Sequence, residues 1–179
     1  GTNVKMTHVY YAIGDVHGMD DMLKEMHNTI IVDMQQYDTT TIVHLGDYVD
    51  RGPASAQVVK RIREMEQDCK IPGMKVDVIS LMGNHEDLMI NAYREGRPGD
   101  VGLWFNNGGY PTLDSYGVQT QFDIPLEDIQ WMENLPTHYK DEANKILFVH
   151  AGIEYREFPE MHRQTNIWTR TFSFFNEDM

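Results

Sequence analysis

The stretch TIVHLGDYVDRG, residues 41–52, runs from an apolar segment straight into a charged heptad bounded by glycines. The heptad GDYVDRG (46–52) holds two aspartates and an arginine. By itself it is either a turn carrying a surface ion pair or a place where cations meet an anion. The five residues before it decide the fold. TIVHL is short and almost continuously apolar, as expected of a strand buried on both faces.

Three other segments repeat the pattern: HVYYAIGD (8–15), KVDVISLMGN (75–84) and KILFVHAG (145–152). Between the first three lie helical stripes. Leu23, Met26, Ile30 and Met34 follow i, i+3, i+7, i+11, and Val58, Ile62, Met65 and Cys69 follow i, i+4, i+7, i+11. Pro53 suits a first helical turn, and Pro72 a stop. A third helix is expected near Glu86 and a fourth from Pro125 toward Glu133. RPGD (97–100) and NNGGY (106–110) read as a loop-rich insertion between them. Strand–helix–strand–helix–strand predicts βαβ units and a parallel sheet, so the fold class is α/β.

Composition narrows the function. With 179 residues there is chain enough for a buried core, and one domain over 1–179 is expected. The net charge of −13 disfavours general nucleic-acid binding and anionic membranes. Chemistry on phosphate therefore needs positive charge from elsewhere, and bound metal supplies it. Cys69 is the single cysteine, which excludes an internal disulfide and suits a reducing compartment. No apolar run reaches membrane-spanning length and the N-terminus has no signal-peptide core, so a cytoplasmic protein is expected.

Ligands in open α/β sheets bind beyond the carboxyl ends of the strands. Each strand here ends in metal-ligand types: Asp15 and His17, then Asp47, then Asn84 and His85, then His150. Singly, each is an ordinary turn or strand-end residue; together they predict one site. Carboxylate, imidazole and amide oxygen suit divalent manganese, iron or zinc, and two such ions acidify a water for attack on phosphorus. His8, His27, His44, His138 and His162 lack this context and read as structural or surface groups. Met22, Met26, Met34 and Met65 read as core filler.

GDVHG (14–18), GDYVDRG (46–52), GNHE (83–86) and HAGI (150–153) together resemble the signature blocks of the PPP-type metallophosphoesterases. These include bacterial and phage serine/threonine phosphatases such as the phage lambda enzyme, with diadenosine tetraphosphate hydrolases as relatives. The resemblance covers about residues 8–170 and implies a calcineurin-like fold of layered sheets flanked by helices. It implies two divalent ions, manganese first, with iron, zinc or nickel as alternatives. Asp15 and His17 would hold one, Asp47 would bridge, and Asn84 and His150 would hold the other. His85 would be the general acid, oriented by Asp50. Arg51 would clamp the phosphate, aided by Arg170 in IWTR (167–170). NNGGYPTLDSYG (106–117) is similar to a bacterial loop that overhangs the site. The implied activity is phosphomonoester hydrolysis on a phosphoprotein or phosphopeptide, with dinucleoside polyphosphate or RNA 5′-end hydrolysis as the alternative.

One block of the family pattern is missing. The chain ends FFNEDM without the downstream GHT histidine, so the second ion lacks an expected ligand. The resemblance thus implies a domain truncated at its C-terminus. The non-enzymatic alternative is a binding module that kept the fold and lost the chemistry.

Overall fold

The computed structural model describes residues 6–150, together with the strands at 152–154 and 166–173. The elements run β1 (Thr7–Gly14), α1 (Asp20–Asp33), β2 (Thr39–His44), α2 (Ser55–Asp68), β3 (Lys75–Ser80), α3 (Asn84–Arg94), α4 (Pro98–Asn106), α5 (Tyr110–Tyr116), α6 (Leu126–Glu133), β4 (His138–Asp141), β5 (Ile146–Val149), β6 (Gly152–Glu154) and β7 (Asn166–Ser173). The protein is α/β, with a parallel sheet ordered β3-β2-β1-β7 and an antiparallel sheet ordered β4-β5-β6.

Alternation along β1 shows how the layers stack, because successive strand side chains point to opposite faces. Val9, Tyr11 and Ile13 join a core with helix residues Leu23, Ile30, Val58, Ile62 and Met89. Tyr10 and Ala12 join a second core with Val43, Leu45, Leu81, Ile146 and Phe148. Helices thus cover one face of the parallel sheet and the β4–β6 sheet covers the other. The Tyr10 hydroxyl fastens the second sheet by donating to Asp141 and accepting from Asn144 Nδ2 at 2.9 Å.

Four expectations need correction. The segment 145–152 does not extend the parallel sheet; β5 lies in the second sheet, antiparallel to β4 and β6. It still brings His150 to the ends of β1–β3, because the two sheets pack face to face. The insertion between α3 and α6 is helical rather than loop-rich. Pro98 opens α4, Pro111 lies in the first turn of α5, and Gly117 closes α5 in the left-handed conformation at φ 68°. Met22 is 41% exposed, so it is not core, whereas Met34 is buried. Pro53 precedes α2 by two residues instead of opening it.

The buried His27 and His44 are structural, as expected. Their Nε2 atoms lie 2.9 Å apart, so one proton is shared between two neutral rings. Burial, then the nearby Arg61, pushes His27 down to about 4, and burial pushes fully enclosed His44 down as well. Between pH 6.5 and 4 the unfolded chain binds a proton at His27 that the native chain refuses, so stability falls as pH falls. From pH 7 to pH 5 this group alone removes about 2 kcal/mol. Urea unfolding should show the wild type losing that much more than His27→Gln; equal losses would refute the assignment.

Candidate active site

The carboxyl ends of β1, β2 and β3 lead into three loops that bind one another through the backbone. His17 N–H donates to Asp47 C=O at 2.9 Å and Gly18 N–H to Tyr48 C=O at 2.8 Å. The loops are too close for side chains at the glycines. A Cβ on Gly52 would stand 2.0 Å from His17 O, and one on Gly83 2.2 Å from Asp47 N. Among the described non-glycine residues, six have positive φ: Asp15 (55°), His17 (41°), Asp47 (58°), Asp50 (77°), Arg51 (70°) and Lys145 (55°). Five of the six are residues that the sequence nominates for the site. Left-handed backbone costs such residues about 1 kcal/mol each and persists only where surrounding contacts hold it.

One contact that holds it is Glu86, which the sequence reading used only as a helix marker. Its carboxylate is fully buried and accepts N–H groups from Asp47 (2.6 Å), Gly83 (2.9 Å) and Tyr48 (3.0 Å). One side chain thus ties the β2 and β3 loops together. The available signal was its position three residues after the helix cap, where an acid reaches back to the cap N–H. Burial, then the charge of Asp47, pushes the Glu86 acid up to about 7 against the opposing N–H bonds.

Asp47 lies at the centre. Its Oδ2 is 3.2 Å from His150 Nε2 and 3.8 Å from His17 Nε2, and its Oδ1 accepts His85 N–H at 3.0 Å. Burial works to raise its pKa, but the His150 and His85 hydrogen bonds outweigh it and lower it. In return the Asp47 hydrogen bond raises His150 to about 9, against burial. His17 is lowered by burial.

The donor set fits a divalent cation. His17, Asp47 and His85 offer ligand atoms within 4.8 Å of one another. Each imidazole is pinned through Nδ1: His17 to Val49 C=O at 2.9 Å, His150 to Leu45 C=O at 2.7 Å, and His85 to Asp50 Oδ2 at 2.7 Å. A carbonyl or carboxylate only accepts, so each Nδ1 carries the hydrogen and Nε2 is left for another partner. This is how metal-binding histidines are oriented. Asn84 is exposed beside them, with its backbone N–H 3.4 Å from His150 Nε2. Asp15 is half-buried at the end of β1.

Asp50 serves a different purpose. It is fully buried and takes His85 Nδ1–H, Trp104 Nε1–H (2.9 and 3.0 Å to its two oxygens) and Thr112 Oγ1–H (2.8 Å). Burial works to lower His85, but the Asp50 hydrogen bond and charge outweigh it and raise it. Trp104 and Thr112 were not nominated from sequence, because their segment read as loop. Arg51 is exposed, with its N–H on Gly108 C=O at 3.0 Å. Arg170 belongs to β7 opposite Tyr11, and its side chain, like His162, lies outside the described residues.

With this geometry in hand, the relatives are informative. A symmetrical bis(5′-nucleosyl)-tetraphosphatase of Proteus mirabilis is 29% identical over 146 residues, covering 80% of this chain and 44% of that protein. Its counterpart in Baumannia cicadellinicola is 28% identical over 143 residues, covering 80% and 42%. The chain therefore spans less than half the length of these curated relatives. Two solved structures share the fold. A candidate diadenosine tetraphosphatase aligns with TM-score 0.53 at 19% identity, over 89% of this chain and 60% of that one. A cold-active protein-tyrosine phosphatase of a psychrophilic Shewanella aligns with TM-score 0.50 at 21% identity, over 74% and 40%. The calcineurin-like phosphoesterase model matches residues 9–178, and the chain belongs to that family.

Proposed function

We propose that the chain carries the catalytic centre of a metal-dependent phosphate hydrolase whose preferred substrate is a dinucleoside polyphosphate. The observation that carries the hydrolase reading is the set of three imidazoles, each pinned through Nδ1, with Nε2 left around or beside the Asp47 carboxylate. The substrate preference rests on the bis(5′-nucleosyl)-tetraphosphatase relatives, which favour a nucleotide over the phosphoprotein that the signature blocks first suggested. A chain of charge −13 accepts a polyphosphate only where cations offset the repulsion.

In this reading Asp15, His17, Asp47, Asn84 and His150 hold two divalent ions, manganese first. When bound, such ions neutralise phosphate charge and activate water. The remaining work falls to the chain's own groups. Arg51, exposed and held in the left-handed region, presents its guanidinium to phosphate oxygens. The Asp50 hydrogen bond and charge favour the imidazolium form of His85, which carries a second proton on Nε2 and delivers it to the departing oxygen.

Two measurements test this. Rates on diadenosine tetraphosphate and on a phosphoserine peptide, both with Mn²⁺, should give the larger kcat/KM for the dinucleotide; the reverse order returns the substrate to phosphoprotein. His85→Asn should slow the alkyl ester of the phosphopeptide by about 10²–10⁴-fold, the range of general acid catalysis. It should slow p-nitrophenyl phosphate far less, because that leaving group needs no proton. Equal losses on both would remove His85 from the acid role.

A further inference from the structure

We infer that Tyr110, backed by Phe105, forms a stacking subsite for the base of a nucleotide substrate, beside Arg51. The inference rests on the nucleotide reading above and names the residues that would enforce it.

Three rings form a ladder from the interior to solvent. Trp104 is fully buried and bonded to Asp50. Phe105 stacks on Trp104 with centroids 5.5 Å apart and planes 29° apart. Tyr110 stacks on Phe105 at 4.1 Å and 19°. Tyr110 is nevertheless 61% exposed. Phe105 stacks on one face of its ring, and the residue as a whole stays mostly exposed.

The ladder lies next to the proposed phosphate clamp. Gly108 C=O accepts Arg51 N–H at 3.0 Å, and a Cβ on Gly108 would stand 2.8 Å from Arg51 Cγ. Tyr110 is two residues further on, at most about 7 Å of chain. The backbone thus tethers Tyr110 close to Arg51, on the scale of the ribose and phosphate that join a base to its anion.

The platform is also rigid. Asn107, Gly108 and Gly109 donate their N–H groups to Trp104 and Phe105 carbonyls at 3.0–3.1 Å. Trp104 at one end and Thr112 at the other are fastened to Asp50. A preformed site loses little on ordering when ligand binds. Every nucleobase offers a π face to such a ring, so the site takes a base without selecting its sequence letter. A phosphoserine side chain has no ring to offer, and the pair therefore separates the two substrate classes.

The test uses the full chain and AMP as the probe, with binding followed by line broadening of the adenine protons. Tyr110→Ala should weaken AMP by about 5- to 100-fold, as base–aromatic stacking predicts, and Tyr110→Phe should restore it. The ratio of kcat/KM for diadenosine tetraphosphate over a phosphoserine peptide should fall with it. Equal AMP affinity in wild type and Tyr110→Ala overturns the subsite. Lost AMP affinity in a chain that hydrolyses neither substrate upholds the subsite and removes the hydrolase reading. Dinucleotide hydrolysis with an unchanged ratio does the reverse.

Discussion

Glu86→Ala is expected to lower the unfolding free energy by about 4 kcal/mol or more, a large share of the roughly 5–15 kcal/mol that holds a domain together. The carboxylate is fully buried and satisfies the N–H groups of Asp47, Tyr48 and Gly83 at 2.6–3.0 Å, with Val49 N–H at 3.4 Å. Alanine leaves these donors without a partner inside the protein, at about 1–3 kcal/mol each. A lost methylene and carboxyl add a cavity. One effect opposes these losses. Burial and the charge of Asp47 hold the Glu86 acid at about 7, so removing it also relieves a buried charge. The donors outnumber that relief. Glu86→Gln keeps one acceptor oxygen but turns an NH₂ toward backbone donors, and should cost less than alanine. Urea unfolding of both variants decides the matter. If alanine costs under about 1 kcal/mol, Glu86 does not organise the loops, and the left-handed residues around it are held by something else.

Glu86 also shows where sequence and structure part. Strands β1 and β2 were legible because both faces are buried, which leaves nearly unbroken apolar runs, whereas β3, a half-buried edge strand, was legible from its β-branched Val76, Val78 and Ile79. Helices α1 and α2 were legible because each presents one stripe to one core. Asp15, His17, Asp47, Asn84 and His85 were nominated because each follows a strand whose end the sequence marks. His150 was nominated for the right location by the wrong route. Its apolar run reads like those of the parallel strands, but its partner β4 is the polar tetrapeptide HYKD, which carries no strand pattern. Pairing with so short and polar a partner is a tertiary fact. The misreading of 97–116 has a different cause. Glycine and proline clusters punctuate it, yet both prolines fall where a helix tolerates them. Burial of Trp104 against Asp50 then fixes what local propensity left open. Long-range bonds such as those of Glu86, Trp104 and Thr112 leave no periodic trace, because only folding makes them neighbours.

Asp47→Asn is expected to abolish cation binding while leaving the fold intact, which separates a functional loss from a structural one. The substitution is close to isosteric. Asparagine keeps an oxygen for the His85 N–H that Asp47 Oδ1 now accepts at 3.0 Å. Its NH₂ falls where Oδ2 stands, 3.2 Å from His150 Nε2. That nitrogen can accept, since His150 Nδ1–H is given to Leu45 C=O at 2.7 Å. The variant therefore exchanges a charge-assisted hydrogen bond for a neutral one. It relieves Glu86 of a neighbouring negative charge but gives up the charge that raises His150 to about 9, so the metal-free variant should melt modestly below the wild type at neutral pH. Cation binding has no such substitute, because a divalent ion needs the anionic oxygen that stands near both His17 and His150. At a Mn²⁺ concentration one hundred times Kd, ligation stabilises the wild type by about 2.7 kcal/mol. For a chain of this size that is roughly 5–10 °C in Tm. Asp47→Asn should show no shift at the same concentration, and its hydrolytic rate should fall by more than about 100-fold, beyond the loss from an outer-shell residue. A variant that still gains the full shift would exclude Asp47 as the shared ligand. A metal-free variant that melts far below the wild type would mean that the carboxylate holds the loops together, and its lost activity would then say nothing about metal.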